Sequence, residues 1–363
     1  MLQKIIPALE WLGSYRRKDL KGDLTAGLIV AIMLVPQGMA YAMLAGLPPV
    51  LGLYASTLPL VVYVLFGSSR QLAVGPVAMM SLLVFAGVSP LASPGSEKYV
   101  SLVLLLSLMV GVIQFCLGLF RAGFIVNFLS HAVISGFTSA AAILILLSQL
   151  HHLFGIPSSG GHSAMSSLKG VIQGMGGVHP ATLGIGLASI LILIIFKRKR
   201  PNFPAPIVVV AASTLVVYFF GLDQSGVKIV GHVPKGLPSI SIPEWSLESF
   251  ELLFPAALTI LFIGFMESIS IAEWVAGREK YKIDSNRELI GLGLANVTAS
   301  FFSAYPVTGG FSSTAVNYQA GAKTGLASLI TAAIILLTIL FFTSFFYHLP
   351  HAVLAAIVVV AVT

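Results

Sequence analysis

The sequence predicts an all-α polytopic membrane protein with an internally inverted architecture. Three observations point there: a composition too apolar for a soluble core, about twelve apolar stretches whose loops alternate in charge, and two short stretches that each open at a Gly/Pro break. Of the 363 residues, 57% are hydrophobic and only 9% charged, and the mean hydropathy is +0.97. No soluble domain could bury that much apolar surface.

The apolar spans fall at roughly 24–43, 50–66, 76–88, 100–120, 126–150, 181–196, 205–221, 251–273, 288–303, 311–320, 325–347 and 352–362, the last running to the end of the sequence. Several are short for a membrane crossing. Residues 1–23 carry Arg16, Arg17, Lys18 and Lys21 without a cleavage site behind a short apolar core, so they read as an amphipathic lead-in rather than a signal peptide. With the N-terminus in the cytoplasm, every Lys and Arg except Lys98, Lys169, Lys228 and Lys235 falls in a cytoplasmic loop. That asymmetry is the positive-inside pattern, and it accounts for the net charge of +7. Basic residues spread over loops do not form a nucleic-acid surface.

Other chemistries find little footing. Cys116, the one cysteine, sits in an apolar run and is expected as a small buried hydrophobe, which leaves no disulfide or cysteine metal site within the chain. The eight histidines lack HExxH spacing. His151 and His152 close the fifth span, His162 and His179 fall in the Gly/Ser-rich loop after it, and His348 and His351 flank a span boundary. Neither a nucleophile–base–acid arrangement nor a phosphate-cradling loop is present, so no enzyme, metal or cofactor is expected. The outer loops near 151–180 and 222–250 are too short for separate domains, and the chain reads as one transmembrane domain over 1–363.

Four features carry the functional reading. Gln37 is an amide near mid-depth of the first span, where it needs a partner, a ligand or a cavity. The third span opens at Gly75-Pro76 and the tenth at Gly309-Gly310, on opposed courses through the bilayer, so their N-termini can meet near the midplane. A helix that starts there presents free N–H groups and the positive end of its dipole, which attract an anion without a full charge. Glu267 is the one acid far from the ends of the eighth span. An ionised, unpaired carboxylate in that position costs several kcal/mol, about what a transfer scale assigns, so it is the candidate for coupling to H⁺ or Na⁺.

The chain resembles the SulP anion transporters, the sulfate permease family related to animal solute carrier family 26. The resemblance rests on Gln37-Gly38-Met39-Ala40-Tyr41-Ala42 and Leu47-Pro48-Pro49-Val50-Leu51-Gly52-Leu53-Tyr54. It continues through Gly67-Ser68-Ser69-Arg70-Gln71 with Val74-Gly75-Pro76, and Ile134-Ser135-Gly136-Phe137-Thr138-Ser139-Ala140. Two further motifs complete it, Met266-Glu267-Ser268-Ile269-Ser270 and Gly309-Gly310-Phe311-Ser312 with Thr314-Ala315-Val316-Asn317.

The resemblance implies a fold of two inverted seven-helix repeats, divided into a core that carries substrate and a gate that anchors it, with half-helices at spans three and ten. The first repeat would occupy about 20–221 and an incomplete second about 250–363, with two spans and the cytoplasmic STAS domain lying outside this sequence. Carried over by motif, the substrate site would use Gln37, Tyr41, Val77, Ala78, Met79, Ser270, Gly310, Phe311, Ser312 and Ser313, with Glu267 for the coupling ion. Many members carry a basic residue at the position of Ser313. Without it, anion attraction would rest more on helix dipoles.

The expected function is secondary active transport of an inorganic anion, sulfate first, by proton-coupled symport with an elevator-like movement in a plasma or bacterial inner membrane. A homodimer is expected and no nucleic-acid partner. Bicarbonate, chloride or dicarboxylate with a Na⁺ or H⁺ gradient, an uncoupled channel, and a sensor without transport stay open as alternatives.

Overall fold

The computed structural model describes residues 6–124, 131–157, 164–199 and 203–362, without the side chains of 131–135, 137, 138 and 164–167. Lys4, His162, Arg200 and Thr363 lie outside the described residues. The helices are α1 (Ala8–Gly13), α2 (Leu20–Leu44), α3 (Pro49–Ala55), α4 (Leu58–Phe66), α5 (Ala78–Val88), α6 (Glu97–Leu119), α7 (His131–Phe154), α8 (Ala164–Gly174), α9 (Pro180–Lys199) and α10 (Ala205–Phe220). There follow α11 (Leu247–Glu279), α12 (Ser285–Phe301), α13 (Phe311–Gln319), α14 (Leu326–Leu337) and α15 (His351–Val362). Two dipeptide strands, β1 (Val74–Gly75) and β2 (Thr308–Gly309), precede α5 and α13.

Among the described residues, six helical segments can cross a membrane by length and composition: 17–44, 49–66, 97–119, 180–199, 247–279 and 326–346. Shorter apolar helices cover 78–88, 139–154, 205–220 and 351–362. The second expected span is broken at Ser56-Thr57 into α3 and α4, and Pro59 at the start of α4 suits a helix beginning there. The eighth expected span is longer than hydropathy indicates, because α11 continues through Trp274 and Arg278 to a left-handed cap at Lys280. After α14 the chain passes through a π turn at Thr338–Phe342 and a 3₁₀ turn at Thr343–Phe346. The loop expected at 151–180 contains α8.

Two groups of helices form. The first joins α2, α3, α4, α5 and α6 with α11, α12, α13 and α14; the second joins α7, α9, α10 and α15. Partners exchange between the two halves of the chain in the manner of a two-fold axis. The first long helix of one half packs on the fourth of the other, α2 on α14 and α11 on α6, and the second packs likewise, α12 on α6 and α4 on α14. The fifth helices, α7 and α15, pack on each other. Close approach of α6 and α12 depends on Gly111 and Gly293: a Cβ at Gly293 would lie 2.6 Å from the Phe115 nitrogen, and one at Gly111 2.5 Å from that of Val297. Small residues at such a contact allow backbone-to-backbone packing where lipid offers no hydrophobic drive.

The loops expected on the cytoplasmic side gather at one end. Asp23, fully buried, accepts from the Lys323 and Thr324 nitrogens at 2.7 and 3.1 Å and from Thr324 Oγ1 at 2.7 Å. Glu288 accepts from Tyr63 OH, Ser68 N and Ser68 Oγ, each at 2.7 Å, and from Ser69 N at 3.0 Å. Tyr281, in the loop beside them, donates to Gln71 Oε1 at 2.7 Å, and burial raises its phenol above the ordinary value and keeps it neutral. At the other end Tyr99 OH donates to Ala45 O at 2.6 Å, and the Ile229–Pro350 bridge joins the loops there. The histidines that close α7 meet α15 at this end, His151 tilted against His152 with ring centroids 3.9 Å apart and His152 edge-on to His351 at 5.7 Å.

Cys116, expected to be buried, is exposed on α6 on the same outward face as Val112 and Leu119. In a bilayer the outside of a span is as apolar as its inside, so apolar neighbours alone do not assign the face.

Replacing Gly293 with Ala should lower the melting temperature of the detergent-solubilised protein, with a cost of about 1–3 kcal/mol from overpacking. Gly184→Ala, where a Cβ would meet nothing within 4 Å, should leave it unchanged; equal melting curves for both variants would show that the α6–α12 contact tolerates separation.

Candidate functional site

The site begins where two helices start inside the protein. Ala73, Val74 and Gly75 are held extended ahead of Pro76, which lacks an N–H and disfavours helix in the residue before it, so α5 starts only after the extended Val77. On the other side Pro306 and the Gly309-Gly310 pair delay α13 until Phe311. The two extended pieces pair antiparallel, Val74 opposite Gly309 and Gly75 opposite Thr308. Crossing there, they bring the N-termini of α5 and α13 to one place.

Neither of these N-termini is capped by a side chain. By contrast, the ends of α6, α11 and α12 are capped by Ser96, Ser246 and Asp284. The first helical bonds of the half-helices run from Ser81 N to Val77 O and from Thr314 N to Gly310 O, both at 3.0 Å. The N–H groups of Ala78, Met79 and Met80, and of Phe311, Ser312 and Ser313, therefore have no acceptor within their helices. Five of these six residues, all but Met80, line a cavity of about 220 Å³ on which the two positive dipole ends converge.

That cavity is lined by Gln37 and Tyr41 from α2, Pro76 to Met79, Ala141, Ala142 and Ile145 from α7, Glu267 from α11, and Gly310 to Ser313. Every sequence-predicted site residue reaches it except Ser270, which is exposed elsewhere on α11. Ser270 lies nearly one full turn further along α11 than Glu267, outside the cavity wall. Gln37 is only 6% exposed, yet neither its amide nor the Tyr41 hydroxyl has a hydrogen-bond partner among the described residues. Glu267 Oε2 is buried without a partner as well. Among the described residues, no Lys or Arg lines this cavity.

The crossing is held by polar groups that the sequence reading did not assign to the site. Asn296 of α12 accepts from Val307 N at 2.7 Å and donates to Val307 O at 3.1 Å and to Gln114 Oε1 at 2.9 Å. Ser268 accepts from Gly309 N at 2.8 Å, and Thr308 Oγ1 donates to Gly264 O at 2.6 Å. Thr314 Oγ1 accepts from Ala73 N at 3.0 Å, while Gly310 N donates to Ala73 O at 3.1 Å. Asn317 donates to Gln71 O at 2.9 Å. Ser268, Thr314 and Asn317 belong to the quoted motifs, but Asn296 stands in a stretch that carries no signal beyond its polarity.

A family profile described as the sulfate permease family matches residues 20–363. The chain belongs to that family. Among its relatives, the probable sulfate transporter 4.2 of Arabidopsis thaliana is 42% identical over 371 residues, which is 100% of this chain and 54% of the relative. The chain thus spans about half the length of the curated relatives it matches. The solved structure of the murine solute carrier 26 family member A9 anion transporter, in its inward-facing state, shares the fold with a TM-score of 0.93. It is 30% identical, over 99% of this chain and 63% of that one. The transmembrane domain of the cyanobacterial bicarbonate transporter BicA shares the fold at a TM-score of 0.86 and 24% identity, covering 95% of this chain and 88% of its own. The sulfate permease chain therefore has the inverted-repeat fold, with a core group carrying the two half-helices and a gate group of α7, α9, α10 and α15.

Asn296→Ala should cost about 1–3 kcal/mol, the penalty for leaving the Val307 amide and Gln114 unsatisfied in the interior. A lowered melting temperature with weakened anion binding is the expected outcome, read by thermal unfolding in detergent with and without sulfate; unchanged values of both would show that the crossing holds without this residue.

Proposed function

We propose that the protein is a secondary active transporter of a small inorganic anion, sulfate first, with the anion held between the N-termini of α5 and α13. The observation that carries this reading is the convergence of two uncapped half-helix ends, with the N–H groups of Ala78, Met79, Phe311, Ser312 and Ser313, on one cavity with no cation in its wall among the described residues. Backbone dipoles suit an anion that must also leave, because they attract charge without the depth of a fixed ion pair. Gln37, Tyr41 and Ser312 add side-chain donors around it. The sulfate transporters among the relatives support the choice of anion.

In this reading Glu267 carries the coupling proton. Its unpartnered oxygen shares the cavity with the anion, and two negative charges so close in a poorly solvated site penalise each other. Protonation removes one of them, so the loaded carrier is the one with both proton and anion bound, and movement of either alone is disfavoured. The core group would then shift against the gate group as an elevator across the contacts of α2 with α10 and α15 and of α5 with α7. An apolar cavity of about 380 Å³ between α2, α10 and α14 leaves that boundary loosely filled. The end that gathers Asp23, Glu288 and the basic loops faces the cytoplasm by the positive-inside rule, and the partner is a second copy of the chain.

The test is labelled sulfate uptake into proteoliposomes with and without an inward proton gradient. Wild-type protein should accumulate sulfate against its gradient, and Glu267→Gln should still bind sulfate but lose the pH dependence of accumulation. Accumulation in the variant that still follows the proton gradient would remove Glu267 from the coupling. A folded wild-type protein that takes up bicarbonate or chloride but not sulfate would reassign the substrate.

A further inference from the structure

A second cavity of about 130 Å³ adjoins the first. The two share Gln37, Ser312 and Ala361 as walls, and the second is completed by Met33, Leu193, Lys197, Phe203, Ala205, Pro206, Val316, Ile357 and Val360. Its place in the fold is toward the basic end: Met33 lies one turn before Gln37 on α2, Val316 one turn beyond Ser312 on α13, and Lys197 in the last turn of α9. Among the described residues, Lys197 is the one charged residue besides Glu267 in the lining of either cavity. Its Nζ donates to Val360 O at 3.2 Å, and an ammonium has three donors.

We propose that this second cavity is a staging site for the anion, with Lys197 as the cation that receives it between the half-helix cradle and the solution at the basic end. The inference rests on the anion-carrier reading above and goes beyond it in placing a second, weaker anion position. The division of labour has a physical reason. A full positive charge inside the cradle would deepen binding and oppose release, whereas one placed a turn or two away raises the local anion concentration and leaves the cradle neutral. Ser312 sits in the shared wall with its free N–H, so an anion at Lys197 is already beside a donor of the cradle. The alternative role for Lys197, as a cation complementing the C-terminal dipole of α9 and satisfying Val360 O, concerns stability alone.

The experiment separates these roles. Sulfate uptake is measured for wild type, Lys197→Gln and Lys197→Arg at several ionic strengths, with the melting temperature of each. Lys197→Gln should lower the ratio of maximal rate to half-saturating concentration by about tenfold, the low end of the gain from a charged cleft, and flatten its salt dependence. Lys197→Arg should restore both. Occupancy is then read without transport. In a Cys116→Ser background, Lys197→Cys is labelled by a methanethiosulfonate reagent in the presence of sulfate, bicarbonate or chloride. Slowing of the labelling by at least one of these anions supports the staging site. Wild type without uptake of any of the three anions would sink the carrier reading while the labelling still reports on the site. Normal uptake by Lys197→Gln with unaltered salt dependence, or labelling rates indifferent to all three anions, would overturn the staging proposal and leave the carrier reading standing.

Discussion

Two helices that begin inside a membrane protein leave amide donors without acceptors, and the rest of this structure is arranged around that deficit. Three other helices, α6, α11 and α12, satisfy their N-terminal ends with Ser96, Ser246 and Asp284. At Val77 and Gly310 no side chain does so. In hydrocarbon each unsatisfied backbone group costs several kcal/mol, on the order of a full transfer penalty, so an uncapped end persists only beside water or a ligand. The antiparallel crossing of β1 and β2 ensures that both ends face the same space. On the anion-carrier reading proposed above, anion affinity of the cradle would follow from this one backbone geometry.

Holding that geometry requires polar groups in an apolar setting, and they are placed behind the crossing rather than in the cavity. Asn296, Ser268, Thr308 and Thr314 use their hydrogen bonds on the extended segments, so the two strands are fixed to α11 and α12 and to each other. The cavity side keeps the groups without partners: Gln37, Tyr41 and one oxygen of Glu267. Satisfied groups build the frame and unsatisfied ones meet the ligand. On the proposed elevator reading, the same separation would let the core group move as a body, because none of these bonds reaches the gate helices.

Much of this was legible in the sequence because the relevant residues violate the apolar pattern around them. Gln37 in an apolar run, Gly75-Pro76 and Gly309-Gly310 at the head of short spans, and Glu267 in mid-helix each stand out without reference to neighbours in space. What was not legible depends on spatial neighbours. Two dipeptide strands carry no periodicity, so β1 and β2 had no signal. Asp23 and Glu288 look like ordinary acids at span ends, and only the packed loops reveal that both are buried and fully bonded. Cys116 was misplaced because it was read from its apolar run alone. Hydropathy identifies a membrane helix but not its rotation, and in lipid the apolar outside and apolar inside of a helix look alike.

The absence of a cation from the cradle changes what selectivity can rest on. A guanidinium would favour a divalent oxyanion by charge and fork geometry together; Ser313 and five neighbouring N–H groups offer donors without that charge. Backbone dipoles interact with any small anion, so discrimination among anions falls to cavity size, to the number of donors an anion can engage at once, and to the charge state of Glu267. A tetrahedral oxyanion can accept from both half-helices and from Gln37 simultaneously, whereas a halide of similar charge density offers no separate oxygens to distribute among them. With the carboxyl protonated, a second negative charge on the anion meets no like charge in the wall. With it ionised, a divalent anion is penalised about twice as much as a monovalent one, since the repulsion scales with the product of the charges. On the symport reading proposed above, preference for a divalent substrate in such a neutral cradle would be tied to coupling: the proton would supply at Glu267 the electrostatic tolerance that a fixed cation otherwise provides.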